Sequence, residues 1–328
     1  MAIRALLYSA DVPDRELEDL AQVDVGALSD RQLLWIDLAS AEPPEREAVA
    51  RVLGCEPELV ALDAHAQRRP TLANYGNLFR LTAMAVGLPQ PHHKVQPRWM
   101  VLLAGPNYVV SVHNGDIDFV EELRQREKGD TGIGALSAES FVASLLDWML
   151  NSYFQALEHV VREIDSIEVA ILGKRRISST ERLLETLIQA RRRVAEVRRL
   201  LIAHRDLFYG LARPDFMATE KPETRPHFIA LNSRLERAED DVDHTRELVV
   251  GAFELLSMRA AQKTNDTMRV LTFVTVLLGS LALFAGVMGM NFELAFFKTG
   301  QKGFLIVTGA MVAATVGSIL VALWRKWI

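Results

Sequence analysis

The sequence predicts a cytoplasmic α/β domain followed by a long helical stalk and two C-terminal transmembrane helices. Residues 270–291 (VLTFVTVLLGSLALFAGVMGMN) and 303–324 (GFLIVTGAMVAATVGSILVALW) carry no charge. Each run reaches the roughly 20 residues needed to cross a hydrocarbon core. An apolar stripe at helical spacing feeds the first run with no proline to stop it, whereas the first 136 residues mix short β-like runs with helix.

In residues 1–136 the segments 33–39 (LLWIDLA), 78–88 (LFRLTAMAVGL), 98–105 (RWMVLLAG) and 107–114 (NYVVSVHN) have the length and composition of strands. The last two are joined by a tight turn at Gly105 and Pro106. Between the first two lies a helix over 43–54 (PPEREAVARVLG), with proline at its start and glycine at its end.

Residues 137–226 are helical in pattern. Phe141, Leu145, Trp148, Leu157, Val160, Ile164, Ile167 and Ile171 mark one amphipathic helix that stops at Gly173. A second opens with Ser178 and Glu181 at capping-box spacing and runs through Leu201, His204, Phe208 and Leu211 to a break at Pro214. The two are expected to pack antiparallel.

The stalk occupies residues 227–269. Leu231, Leu235, Ala238, Val242, Thr245, Val249, Ala252 and Leu256 alternate steps of four and three, the coiled-coil rhythm. The same helix continues unbroken toward Met290, which makes it roughly 64 residues and about 95 Å long at 1.5 Å per residue. The first membrane helix takes 270–291, a short loop 292–302, the second membrane helix 303–324 and a basic tail 325–328.

Charge sets the orientation. Arg259, Lys263 and Arg269 precede the first span and Arg325 and Lys326 follow the second, against Lys298 and Lys302 in the loop. The positive-inside rule then puts both termini in the cytoplasm. The start of the chain lacks an apolar core with a cleavage site, so no signal peptide is expected. A single cysteine, Cys55, excludes an intrachain disulfide. Before residue 270 lie 33 of the 37 basic and 41 of the 42 acidic residues, a net −8 that favours cations and disfavours nucleic acid. No glycine-lysine nucleotide loop and no serine-histidine-acid or cysteine-histidine arrangement stands out, so an enzyme is not expected.

The GVMGMN segment at the outer end of the first span, the long helix feeding it, the closing WRKWI, the HAQRRPTLANYGNLFRL run at 65–81 and the hairpin LLAGPNYVVSVHNG together resemble the CorA family of divalent-cation transporters. The resemblance implies a homopentamer in the bacterial inner membrane, a funnel-shaped cytoplasmic part and a pore lined by five copies of the first span. It implies no cofactor, only divalent cations as substrate and as regulatory ligands.

By its offset from the Gly289-Met290-Asn291 triplet, the face carrying Asn265, Met268, Leu271, Thr275, Gly279 and Ala282 matches the family's pore positions. It is smaller and more polar than the Phe273, Leu277, Leu281 and Phe284 around it. Its glycines and threonine equally suit close helix packing. At the outer mouth, Gly289, Met290, Asn291 and Glu293 form the entry. There a neutral amide oxygen suits a strongly hydrated ion, and asparagine also suits a helix C-cap. The loop departs from the magnesium-transporting branch, in which a proline and an acid follow the triplet, and this leaves room for zinc. Asp240, Asp243, His244 and Glu247 on the stalk form a candidate regulatory metal site; a solvated face neutralised by Arg191, Arg192, Arg193, Arg198 and Arg199 is the other reading. A membrane-tethered helical scaffold or sensor is the alternative to transport.

Overall fold

The computed structural model describes residues 3–17, 19–20, 23–62, 69–87, 95–115, 117–126, 133–173, 180–216, 224–290 and 300–325. The chain divides into two compact units, Met1–Ala252 and Phe253–Ile328.

The first unit is built on a seven-stranded sheet of β1 (Ile3–Ser9), β2 (Arg15–Leu17), β3 (Gln32–Ala39), β4 (Thr71–Asn74), β5 (Phe79–Val86), β6 (Pro97–Ala104) and β7 (Tyr108–His113), in the order β2-β1-β3-β7-β6-β5-β4. β3 and β7 pair in parallel, Leu34 opposite Tyr108, and the other neighbouring described pairs are antiparallel. β3 and β7 read as continuous apolar runs because both faces of the sheet are covered. Leu34, Ile36, Leu38, Val110 and Val112 point into one core with Val49 and Ala50 of α1 (Pro43–Leu53). On the opposite side Trp35 meets Phe141 edge-on, with ring centroids 5.4 Å apart. α1 starts on Pro43 and ends at Gly54, whose left-handed φ of 64° lets its N–H turn back to the Ala50 carbonyl.

Four strands and α1 lie where the sequence places them, with ends shifted by one or two residues. β1, β2, β4 and the short α2 (Asp118–Arg126) carry no assignment in the sequence reading. β2 and β4 are edge pieces of three and four residues, too short to show a period.

α3 (Ala138–Leu172) is capped by Ser137, whose side chain accepts the Ser140 N–H, and ends at Gly173. It packs against α4 (Thr180–Ile202), as the antiparallel expectation requires. Ser178 lies outside the described residues. The continuous second helix is corrected: α4 stops at Ile202 and α5 (Arg205–Ala212) begins after a turn at Ala203 and His204. His204 keeps the apolar spacing and so hides the break. Its imidazole is buried and leaves the helix pattern to serve the sheet, where Nε2 accepts the Met84 N–H at 3.0 Å.

That bond has a reason in topology. β4 covers β5 only from Phe79 to Thr82, so among the described residues no strand lies beside the outer edge of β5 beyond Thr82. Side chains take over: the Tyr153 hydroxyl donates to the Met84 carbonyl at 2.9 Å, and the Val86 N–H donates to Ser152 Oγ at 3.1 Å.

α6 (Arg225–Met288) has the 64 residues the sequence predicts, displaced by two. In the first unit Leu231, Leu235, Ala238, Val242, Thr245, Val249 and Ala252 are all buried, so the step-of-four-and-three stripe is the packed face. The second unit holds the rest of α6 and α7 (Gly300–Trp324), each with a stretch long and apolar enough to cross a membrane.

Candidate functional site

Within the second unit one strip of each apolar helix is partly covered. On α6 it is Phe273, Leu277, Leu281 and Met288; on α7 it is Gly303, Val307, Met311, Thr315 and Ser318, with Ala322 buried. Asn265, Met268, Leu271, Thr275, Gly279 and Ala282 are exposed. At about 100° per residue their face is centred roughly opposite the covered strip of α6. The sequence-predicted face thus lies within the broad part of α6 that the described residues leave open.

Two details sharpen its chemistry. Among the described residues a side chain at Gly279 or Gly286 would meet nothing within 4 Å, so no packing there demands glycine. The Thr275 hydroxyl donates to the Leu271 carbonyl at 2.8 Å, which satisfies its proton and leaves oxygen lone pairs as its outward offering.

α6 closes with the Gly289 N–H on the Ala285 carbonyl at 2.9 Å and the Met290 N–H on the Val287 carbonyl at 3.3 Å. The change from a four-residue to a three-residue step tightens the last turn and brings the negative end of the helix dipole to Gly289 and Met290. Asn291 and Glu293 lie outside the described residues.

Asp240, Asp243, His244 and Glu247 are all exposed, and among the described residues no group of three or more His, Cys, Asp or Glu side chains could hold a metal ion. Asp243 instead pairs with Arg198 Nε at 3.3 Å, and the neighbouring Glu239 takes a bidentate bond from Arg205. Of the arginines in the other sequence reading, Arg198 is the one with an ion pair to this acidic face among the described residues.

A polar network that the sequence reading does not identify lies in the first unit. Ser111 Oγ donates to Asp37 Oδ1 at 2.5 Å and accepts from Trp35 Nε1 at 2.9 Å, while His113 Nε2 lies 3.1 Å from Asp37 Oδ1. The visible signal is an aspartate in the middle of LLWIDLA. Buried polar groups of this kind hold only when bonded together.

A family model described as CorA-like Mg2+ transporter protein matches residues 30–324. The cobalt/magnesium transport protein CorA of Thermotoga maritima is 24% identical over 296 residues, covering 90% of this chain and 83% of that protein. Among solved structures, the CorA magnesium transporter from Methanocaldococcus jannaschii aligns with a TM-score of 0.71 at 19% identity, covering 100% of this chain and 99% of that one. The full-length CmaX protein aligns with a TM-score of 0.66, also at 19% identity, covering 99% and 97% of the two chains. At such identities the likeness is one of fold: a soluble α/β part, a long helix and two C-terminal apolar helices.

Proposed function

Since the chain belongs to the CorA-like Mg2+ transporter family, we propose that it moves divalent cations across a lipid bilayer, through a pore that the last third of α6 lines in a ring of identical chains. The observation that carries this reading is the open side of α6, where Gly279 and Gly286 have nothing packed against them among the described residues. A homopentamer in the bacterial inner membrane, with both termini in the cytoplasm, is the assembly that the family resemblance supports.

At the outer mouth the convergent C-terminal ends of α6 draw cations by their dipoles. Asn291 adds neutral carbonyl oxygens that hydrogen-bond to the ion's water shell without stripping it, which suits an ion that dehydrates reluctantly. Below, Ala282, Gly279 and Thr275 keep the bore wide and offer one ring of hydroxyl oxygens. Met268 and Leu271 make apolar rings that close by dewetting, and Asn265 receives the ion beyond them.

The ion belongs to the Mg2+, Co2+, Ni2+ and Zn2+ class, and a loop that carries Lys298 and Lys302 in place of the magnesium branch's proline and acid leaves room for zinc. Flux of these four ions into liposomes holding the purified protein, compared with Asn291→Ala, tests the proposal. Uptake of at least one ion that the variant loses is expected; no flux for any of the four makes the hairpin a membrane anchor.

A further inference from the structure

Parallel α3 and α6 are cross-linked in a constant register within the first unit. Ser137 Oγ lies 3.4 Å from Thr224 Oγ1, Ser140 Oγ 3.2 Å from His227 Nδ1, and Asp147 Oδ1 3.1 Å from Arg234 Nη1. The partners in the first two contacts are 87 positions apart, and the same offset separates Asp147 from Arg234. Between the second and third rungs the same offset sets Ala143 opposite Ala230. Both alanines line a hollow of about 500 Å³ that includes the two rungs. That is the size range of small-molecule sites.

Its chemistry points one way. Arg234 and Arg237 face one carboxylate, Asp147, so the hollow keeps a positive charge in a chain whose net charge is −5. Arg234 is held in place from two sides, by Asp147 and by the Phe154 ring 5.5 Å from its guanidinium carbon. Its Nε is buried without a hydrogen-bond partner among the described residues. Arg237 is exposed at the rim. Ser144 and His227 add polar groups, and Trp148 with Leu231 supplies an apolar wall. Planar guanidinium groups beside hydroxyls suit the oxygens of a phosphate, and an indole suits a flat ring.

We propose that the hollow between the Ser140–His227 and Asp147–Arg234 rungs binds a small phosphate-bearing molecule with a flat ring, of nucleotide size. The proposal does not depend on the transport reading.

Calorimetric titration of the purified full-length protein with ADP and with inorganic phosphate, in EDTA so that no divalent ion takes part, tests it. Saturable ADP binding is expected, tighter than that of phosphate and weakened about tenfold or more by Arg237→Glu, since a charge-assisted pair is replaced by repulsion. Trp148→Ala is expected to remove the preference for ADP over phosphate. Absence of ADP binding, ADP binding no tighter than phosphate, or an affinity unchanged in Arg237→Glu overturns the proposal.

Discussion

Arg193 on α4 and Glu163 on α3 form an ion pair whose guanidinium is almost wholly buried, at 5% side-chain exposure against 23% for the carboxylate. The pair is lopsided, because Nε and Nη1 of Arg193 have no hydrogen-bond partner among the described residues. Glu163→Gln leaves that charge uncompensated and is expected to cost about 3 kcal/mol, whereas Arg193→Met removes the orphaned donors and leaves a carboxylate that water reaches. Urea unfolding of the two variants checks this; equal losses would contradict it.

His204 gives the first unit an acid sensitivity. Its Nδ1–H donates to the Leu200 carbonyl at 2.9 Å and its Nε2 accepts from Met84, so the ring is held neutral, and burial lowers its pKa from 6.5 to about 4. The unfolded chain therefore binds a proton that the folded chain refuses. Stability is full above about pH 6.5 and falls as pH drops toward 4, by about 3 kcal/mol in all. Unfolding midpoints between pH 7.5 and 4.5 are expected to fall more steeply in the native protein than in His204→Gln, and parallel slopes would discard the idea.

Two glycines separate strain from collision. A Cβ on Gly134 would lie 2.4 Å from the Ser9 backbone, while one on Gly54 would meet nothing and suffer only from the positive φ. Gly134→Ala is expected to cost about 3 kcal/mol through displacement of β1, and Gly54→Ala about 1 kcal/mol. Thermal unfolding ranks them, and the reverse order would be incompatible with this packing.

On the proposed pore face, Gly279→Leu is expected to cut cation flux about tenfold by narrowing and drying the bore. Val274→Leu, about a third of a turn outside that face, is expected to stay within about twofold of the native rate. Flux measured per protein in the same liposomes decides, and equal flux from both variants removes α6 from the pore.

Much of this was legible in the chain because long elements repeat their signal. The stripe from Leu231 to Ala252 named the buried face of α6 residue by residue, and Ser137 and Gly173 marked the limits of α3. Short edge strands such as β2 and β4 take their form from a neighbour and show little of it in their own residues. The break at His204 was invisible because a histidine at an apolar step looks like core, and only the uncovered edge of β5 explains it. The acids at 240–247 show their charge in the sequence, but pairing with Arg198 depends on how α4 lies beside α6. The open face of α6 could be counted from the triplet; which face is covered needed coordinates.

The outer edge of β5, free of a strand beyond Thr82 among the described residues, has a bearing on assembly. An unpaired strand edge invites backbone addition from any second copy, a hazard whenever copies of one chain are held close together. Here Tyr153, Ser152 and His204 already occupy the groups that an incoming strand would need. The helices thus act as a guard against illegitimate pairing wherever copies of the chain are crowded together.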